Sequence, residues 1–278
     1  MKNILKILVV VLALQTSYGQ ESFQFQVKFQ PKSSYKSNLE MKLDMKMQVD
    51  SETEKSLGKN NVETNMLMSF ETLTKTQEIS KDGKLPFEIS YTDLDTKMSV
   101  NGQEIPNITE SVKSEILGLK LKGIETDKGR EYSYQGESEK MKETYENMMN
   151  TMSLLTFYPK EVFKVGDSKE VLVPFKMPLQ QGMKMEMNIK ATYTLTKLDS
   201  EKAYFDVKMS SEGDINPSDQ LKIHIDQYQL SGKLTINRKD QNINDSEFSG
   251  PMNMTMDMDT VKIKMMSENN YKTKSIKL

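Results

Sequence analysis

The sequence predicts a mainly β protein: antiparallel curved sheets or half-barrels, arranged as two related β units with one long amphipathic helix, about 138–156, between them. Three observations carry this. Apolar and polar residues alternate along several long stretches. Turns rich in Gly, Asn and Asp separate those stretches. One stretch alone changes to helical spacing.

The first 19 residues stand apart. Lys2 and Lys6 form a basic start, and Ile7 to Leu14 is unbroken apolar sequence, too short to span a bilayer. Ser17 and Gly19 are the small residues of a cleavage site before Gln20. This is the pattern of a signal peptide, residues 1–19, set aside from the fold. No other apolar stretch approaches membrane length, so a soluble mature chain without a transmembrane segment is expected. The chain has no cysteine, which excludes a lipoprotein anchor, disulfides, zinc–thiolate sites and thiol catalysis. A cysteine-free exported chain of this size points to bacterial export, into the periplasm or the extracellular medium.

Residues 20–158 are expected to form an N-terminal β unit ending in the helix, and 159–278 a C-terminal β unit, unless the two make one continuous domain. Beyond the signal peptide, 36 basic residues face 40 acidic ones. The signs are mixed and no basic tract occurs, which argues against a nucleic-acid or acidic-lipid partner.

The first strand is "NLEMKLDMKMQVD", 38–50. Leu39, Met41, Leu43, Met45, Met47 and Val49 alternate with charged and polar neighbours. Successive side chains of a strand point to opposite faces, so one face is apolar and the other wet. "MKMEMNIKATYTLTKL", 183–198, repeats the pattern with Met183, Met185, Met187 and Ile189. So do "YFDVKMSS", "VKIKMMS" and "GPMNMTMDMD", the last with Met252, Met254, Met256 and Met258. Hairpin turns are expected at 81–84, 101–103, 127–130, 198–203 and 238–244. In 137–159, Met141, Tyr145, Met148, Met149, Met152 and Leu155 recur at helical spacing. Pro159 lies just past the helix end. A shorter helix is expected over about 110–117, ended by Gly118. Segments 120–130 and 233–243 align without gaps, each a Lys-Leu start leading to an Asp-bearing turn.

"FYPKEVFKVGDSKEVLVPF", 157–175, places a Pro six residues before a Val-Gly-Asp turn and a strand. With the signal peptide and the "KLKGIETDKGREYSY" hairpin, it resembles an uncharacterised family of exported Bacteroidota proteins. Lys169 stands where that family carries an aromatic. The resemblance implies two β-rich halves and transfers no functional residue. The layout is also similar to the half-open β-barrels of bacterial lipoprotein carriers.

Catalysis finds little support. The one histidine, His224, alternates with Ile223 and Ile225 and is expected on a polar strand face; no G-x-S-x-G phrase supplies a nucleophile. Tryptophan is absent, which disfavours a glycan cleft. "DQNINDSE", 240–247, lacks the Gly and Glu of a calcium loop and suits a polar turn. A non-catalytic protein with no cofactor is expected.

The methionines are the distinctive feature. Thioether sulfur suits Cu(I), so Met combs along strands could form a copper site. Leu43 and Ile189 share those rows, which favours a role that any apolar group can fill. Methionine is unbranched and adaptable and suits pliable apolar surfaces. The expectation is a binding module for an apolar small molecule, a lipid or a partner peptide, with an envelope protein as a further partner. Its expected lining is Met41, Met45, Met47, Met183, Met185, Met187, Met252, Met254, Met256 and Met258, with Met148, Met149 and Met152 facing them. The alternatives are an envelope protein holding Cu(I) and a structural or assembly protein.

Overall fold

A computed structural model describes residues 21–49, 61–105, 113, 116–117, 119–126, 129–134, 158–178, 184–218, 221–258 and 261–278. Among them are fourteen strands: β1 (Ser22–Gln24), β2 (Ser34–Val49), β3 (Asn61–Thr76), β4 (Leu85–Val100), β5 (Gln103–Glu104), β6 (Lys120–Thr126), β7 (Gly129–Tyr134), β8 (Val162–Lys164), β9 (Ser168–Pro178), β10 (Lys184–Leu198), β11 (Lys202–Ser218), β12 (Leu221–Asn237), β13 (Asn242–Met258) and β14 (Val261–Lys277). The mainly β, antiparallel architecture is as expected. The long helix expected over 138–156 lies outside the described residues, as does most of the shorter one over 110–117.

Twelve strands form one sheet. Its order is β7-β6-β4-β3-β2-β14-β13-β12-β11-β10-β9, with β5 also on β4. Every ladder is antiparallel. The first long strand therefore pairs with the last, from Tyr35↔Lys277 to Val49↔Ile263. The outermost strands, β7 and β9, do not pair with each other.

Alternation decides which side chains turn inward. Ile223 and Ile225 of β12 are buried while His224 between them is exposed. Register shifts then correct the count. One falls between Ile225 and Gln227, and it returns Tyr228 and Leu230 to the buried face. An extra residue in one strand of a pair has this effect. A second shift near Thr72 in the β3–β4 ladder keeps both Tyr91 and Leu94 buried. The turns match the composition that predicts them. Asn101 and Gly102 both take positive φ at the β4–β5 hairpin, and Gly83 does so before β4, where Asn and Gly carry the lowest steric penalty.

Two hydrophobic clusters lie on this one sheet. The C-terminal cluster gathers Ile189, Leu195, Phe205, Ile225, Ile236 and their neighbours from β10 to β13. The N-terminal cluster gathers Phe70, Phe87, Ile89, Tyr91, Leu94 and Leu121. The segment 23–29 serves both. Phe23, Phe25 and Val27 belong to the first cluster, and Phe29 packs on the second. Phe25 stacks on Tyr158 at 4.9 Å and meets Phe205 edge-on at 4.8 Å. The Tyr158 hydroxyl donates to the Val27 carbonyl at 2.9 Å. Phe29 is held from the other side. Its N–H donates to Glu125 Oε1 at 3.0 Å, and the Arg130 guanidinium lies 3.8 Å above its ring. Arg130 Nε in turn donates to Glu125 Oε2 at 2.7 Å. This partly buried pair leaves neither charge alone on the β6–β7 hairpin.

The Val-Gly-Asp phrase has a structural role. Gly166 takes a φ of 95°, Asp167 Oδ2 accepts from the Lys164 N–H at 2.9 Å, and the turn bonds Leu195 of β10 through the Gly166 N–H and the Asp167 carbonyl. It clips the small β1–β8 sheet to the main one.

Phe25→Ala should cost about 3–5 kcal/mol, the usual range for an aromatic removed from a packed core. Urea unfolding followed by circular dichroism should show a lower midpoint with an unchanged slope; a loss below about 1 kcal/mol would mean that 23–29 is not part of the core.

Candidate functional site

Between the two clusters the sheet carries an apolar face that is only half buried. Cross-strand register assembles it. In one lateral row Met254 of β13, Met265 of β14, Met47 of β2 and Val62 of β3 are successive partners. The next rows along the strands are Met252–Ser267–Met45–Thr64–Val100 and Gly250–Asn269–Leu43–Met66–Met98. Phe248–Tyr271–Met41–Met68–Thr96 follows them. Met256, Ile263 and Val49 extend the face on the other side. With strands about 4.8 Å apart and same-face residues about 6.8 Å apart, the field measures roughly 19 Å by 27 Å.

Its burial is graded. Met254 is 5% exposed, whereas Met41, Met45, Met47, Met66, Met68, Met98, Met252, Met256 and Met265 are half buried. Met41 and Met68 pack against the N-terminal cluster. Met252, Met256 and Met265 pack against the C-terminal one. Met45, Met47, Met66 and Met98 belong to neither. They form the centre of the field.

The face is also free of charge. Every inward position of β13 from Ser246, of β14 from Val261 to Ser275, of β2 from Tyr35, and of β3 and β4 carries an uncharged side chain. Burial pushes the phenol pKa of Tyr228 upward, with Tyr271 adding to it, and burial pushes Tyr271 up as well. Both stay neutral at physiological pH. The charges sit on the opposite face, in pairs such as Lys46–Glu63 at 2.9 Å and Lys272–Glu247 at 3.1 Å. There, hydrogen bonds from Lys42 and then Asn65 hold the Asp44 carboxyl below its ordinary pKa. Such solvent-facing pairs contribute little to stability.

The expected lining residues divide into three sets. Met41, Met45, Met47, Met252, Met254 and Met256 come together on this face. Met258 pairs with Val261 at its end. Met187 is 8% exposed inside the C-terminal cluster, and Met185 precedes it on β10, four ladders away from β14. Those two residues are far from the field because β10 pairs with β9 and β11 rather than with β13 or β2. Met148, Met149, Met152 and Met183 lie outside the described residues. Met66, Met68, Met98 and Met265 join the field without having been singled out. Their signal was the same alternation, in "NVETNMLMSFE", "TKMSV" and, for Met265, "VKIKMMS", with fewer methionines per strand.

His224 is exposed on the polar face, its Nε2 3.7 Å from Asp226 Oδ1. In the 240–247 segment, Asp240 Oδ1 pairs with Lys277 Nζ at 3.2 Å and Asn242 Nδ2 donates to Ser275 Oγ at 3.3 Å. Those side chains close the β12–β13 turn against β14.

No protein-family model matches the chain, and no curated protein matches it. Three solved structures are similar at low identity. One, concerning lipid–protein interactions in lipovitellin, is 6% identical, with a TM-score of 0.47; the match covers 88% of this chain and 25% of that one. The type II secretion secretin XcpQ from Pseudomonas aeruginosa is 11% identical, with a TM-score of 0.20 and 97% and 63% of the two chains covered. OccK7 (OpdD) from the same organism is 6% identical, with a TM-score of 0.21 and 88% and 99% covered. The chain thus spans a quarter of the lipovitellin chain it matches.

Mild peroxide should oxidise the half-buried methionines of the field, Met45, Met47, Met66 and Met98, well before Met187, Met209 and Met254, because sulfoxide formation follows access. Peptide mapping by mass spectrometry checks the order, and equal rates for both groups would show that the face is covered.

Proposed function

We propose that this chain is an exported, non-catalytic binding protein whose Met-lined sheet face takes up an apolar ligand, such as a lipid or a greasy peptide. The observation that carries the reading is the uncharged, half-buried methionine field running across five adjacent strands. A soluble protein seldom leaves a continuous apolar area of several hundred Å² without a use for it. Covering it would stabilise a complex by about 25 cal/mol per Å² of apolar area removed from water. Flexible thioether side chains let one face fit ligands of different shape. Residues 1–19 serve as the signal peptide in this reading, and the envelope or the medium is the place of action. The two halves, 20–158 and 159–278, are read as related β units, in keeping with the uncharacterised Bacteroidota family that the sequence resembles.

One arrangement favours a second reading. Met254, Met265 and Met47 are lateral neighbours on three adjacent strands, with Cβ atoms about 5 Å apart. Three thioethers at that spacing could converge on one Cu(I) ion.

Native mass spectrometry of the mature protein, exported and purified without detergent, tests the first reading. A bound mass that organic solvent removes is the expected result. Met47→Glu should abolish that mass while leaving the thermal midpoint within a few degrees, since the side chain is only half buried. Retention of the ligand by Met47→Glu would overturn the field as the site. The triple variant Met47→Leu, Met254→Leu, Met265→Leu separates the readings: it should keep apolar binding and lose Cu(I), measured by competition with a chromogenic chelator.

A further inference from the structure

We propose that the Met face selects an acyl chain attached through a neutral ester or amide group, over a free fatty acid or an alkyl cation. This rests on the apolar-ligand reading above and narrows it. The first ground is the charge pattern. Among the described residues of β13, β14, β2, β3 and β4 the inward positions offer no cation to a carboxylate and no anion to an ammonium, apart from Lys277 at the far end. A charge carried onto this face would lose water without gaining a partner, which costs far more than burying a neutral group that finds a hydrogen bond.

The second ground is a short polar row inside the apolar field. Ser267, Asn269 and Tyr271 follow one another on the inward side of β14, flanked by Met45, Leu43 and Met41 of β2. Asn269 is 7% exposed. Its side-chain bonds are long. Nδ2 donates to Ser267 Oγ at 3.2 Å and to the Gly250 carbonyl at 3.4 Å, and Oδ1 accepts from the Tyr271 hydroxyl at 3.5 Å. Good bonds of these types are some tenths of an ångström shorter. The Ser267 hydroxyl is held by the Met252 carbonyl at 3.0 Å, so the donors the row can turn from a long bond to a neutral acceptor are the Asn269 amide and the Tyr271 hydroxyl. An ester or amide carbonyl is the group that accepts from an amide or a phenol without bringing charge. Gly250, opposite Asn269 in the ladder, adds no side chain to the row. A ligand carbonyl set on Asn269 leaves its chain to lie over Met45, Met47, Met254 and Met265 on the one side.

The test uses the mature exported protein and three probes with the same pyrene-labelled chain: a monoacylglycerol, the fatty acid and the alkylamine. Each is titrated below its micellar concentration at pH 8, where the carboxylate is fully ionised and the amine charged. The monoacylglycerol should bind at least tenfold more tightly than either charged probe. Equal affinities would overturn the selectivity and leave the apolar-ligand reading standing. No binding of any probe would overturn both. Asn269→Leu should erase the monoacylglycerol's advantage without weakening a pyrene-labelled alkane. Where that variant fails to fold, Tyr271→Phe decides instead, because it keeps the ring and its volume. It should reduce the preference at least threefold, and an unchanged preference would overturn the polar row as the carbonyl site.

Discussion

The structure depends on a single constraint: from β10 to β4, successive strands keep their inward positions apolar or uncharged, apart from Lys277 at the end of β14. Apolar surface left in water costs free energy, so the fold covers as much of this face as it can. At each end it succeeds. Aromatic residues from β4 and β11, with Phe25 and Phe29 laid across, complete two clusters. In the middle, strands of 16 and 17 residues run past both clusters, and their inward face stays half open.

Methionine suits that middle. Val or Ile would favour a strand more strongly, but both are stiff and commit the surface to one shape. Thioether chains are unbranched and flexible, so they fill irregular gaps and repack readily. The distribution of residues follows this division. The dense C-terminal cluster is built mainly from Ile, Leu, Val and Phe, with Met187 and Met209 as fillers. The half-buried field is built mainly from Met. Polar Thr64, Thr96 and Asn269 are buried within it, so its chemistry is not that of a plain hydrocarbon floor.

Much of the fold was legible in the sequence because its signals are local. Period two marked β2, β10, β11, β13 and β14, and Gly83 and Asn101-Gly102 marked the turns at the two ends of β4. Even the shift in β12 can be read from Ile223, Ile225, Tyr228 and Leu230, whose spacing skips by one. The half of the site on β2 and β13 was visible as combs of methionine. What was not legible is non-local. Nothing within residues 34–49 states that their neighbour is 261–277 rather than 184–198, so Met187 and Met254 look alike as letters while only the second reaches the field. Met66, Met68 and Met98 matter because β3 and β4 lie beside β2, which is again a fact of strand order. Phe23, Phe25, Val27 and Phe29 do alternate with polar neighbours, but that period does not say which clusters they join, because both are formed by residues far along the chain.

The pairing of β2 with β14 also has a consequence in time. Val49 and Ile263 are 214 positions apart, and Tyr35 and Lys277 are 242 apart. The ladder that joins the two half-sheets cannot form until residues 261–277 have been made. Contacts this distant slow folding, although the entropy of closing so long a loop grows only slowly with its length. The unfinished chain carries two half-sheets, each with an unpaired long edge, and such edges are prone to wrong association. A protein of this topology completes itself last at its centre, and it gains from being kept extended until β14 has been made.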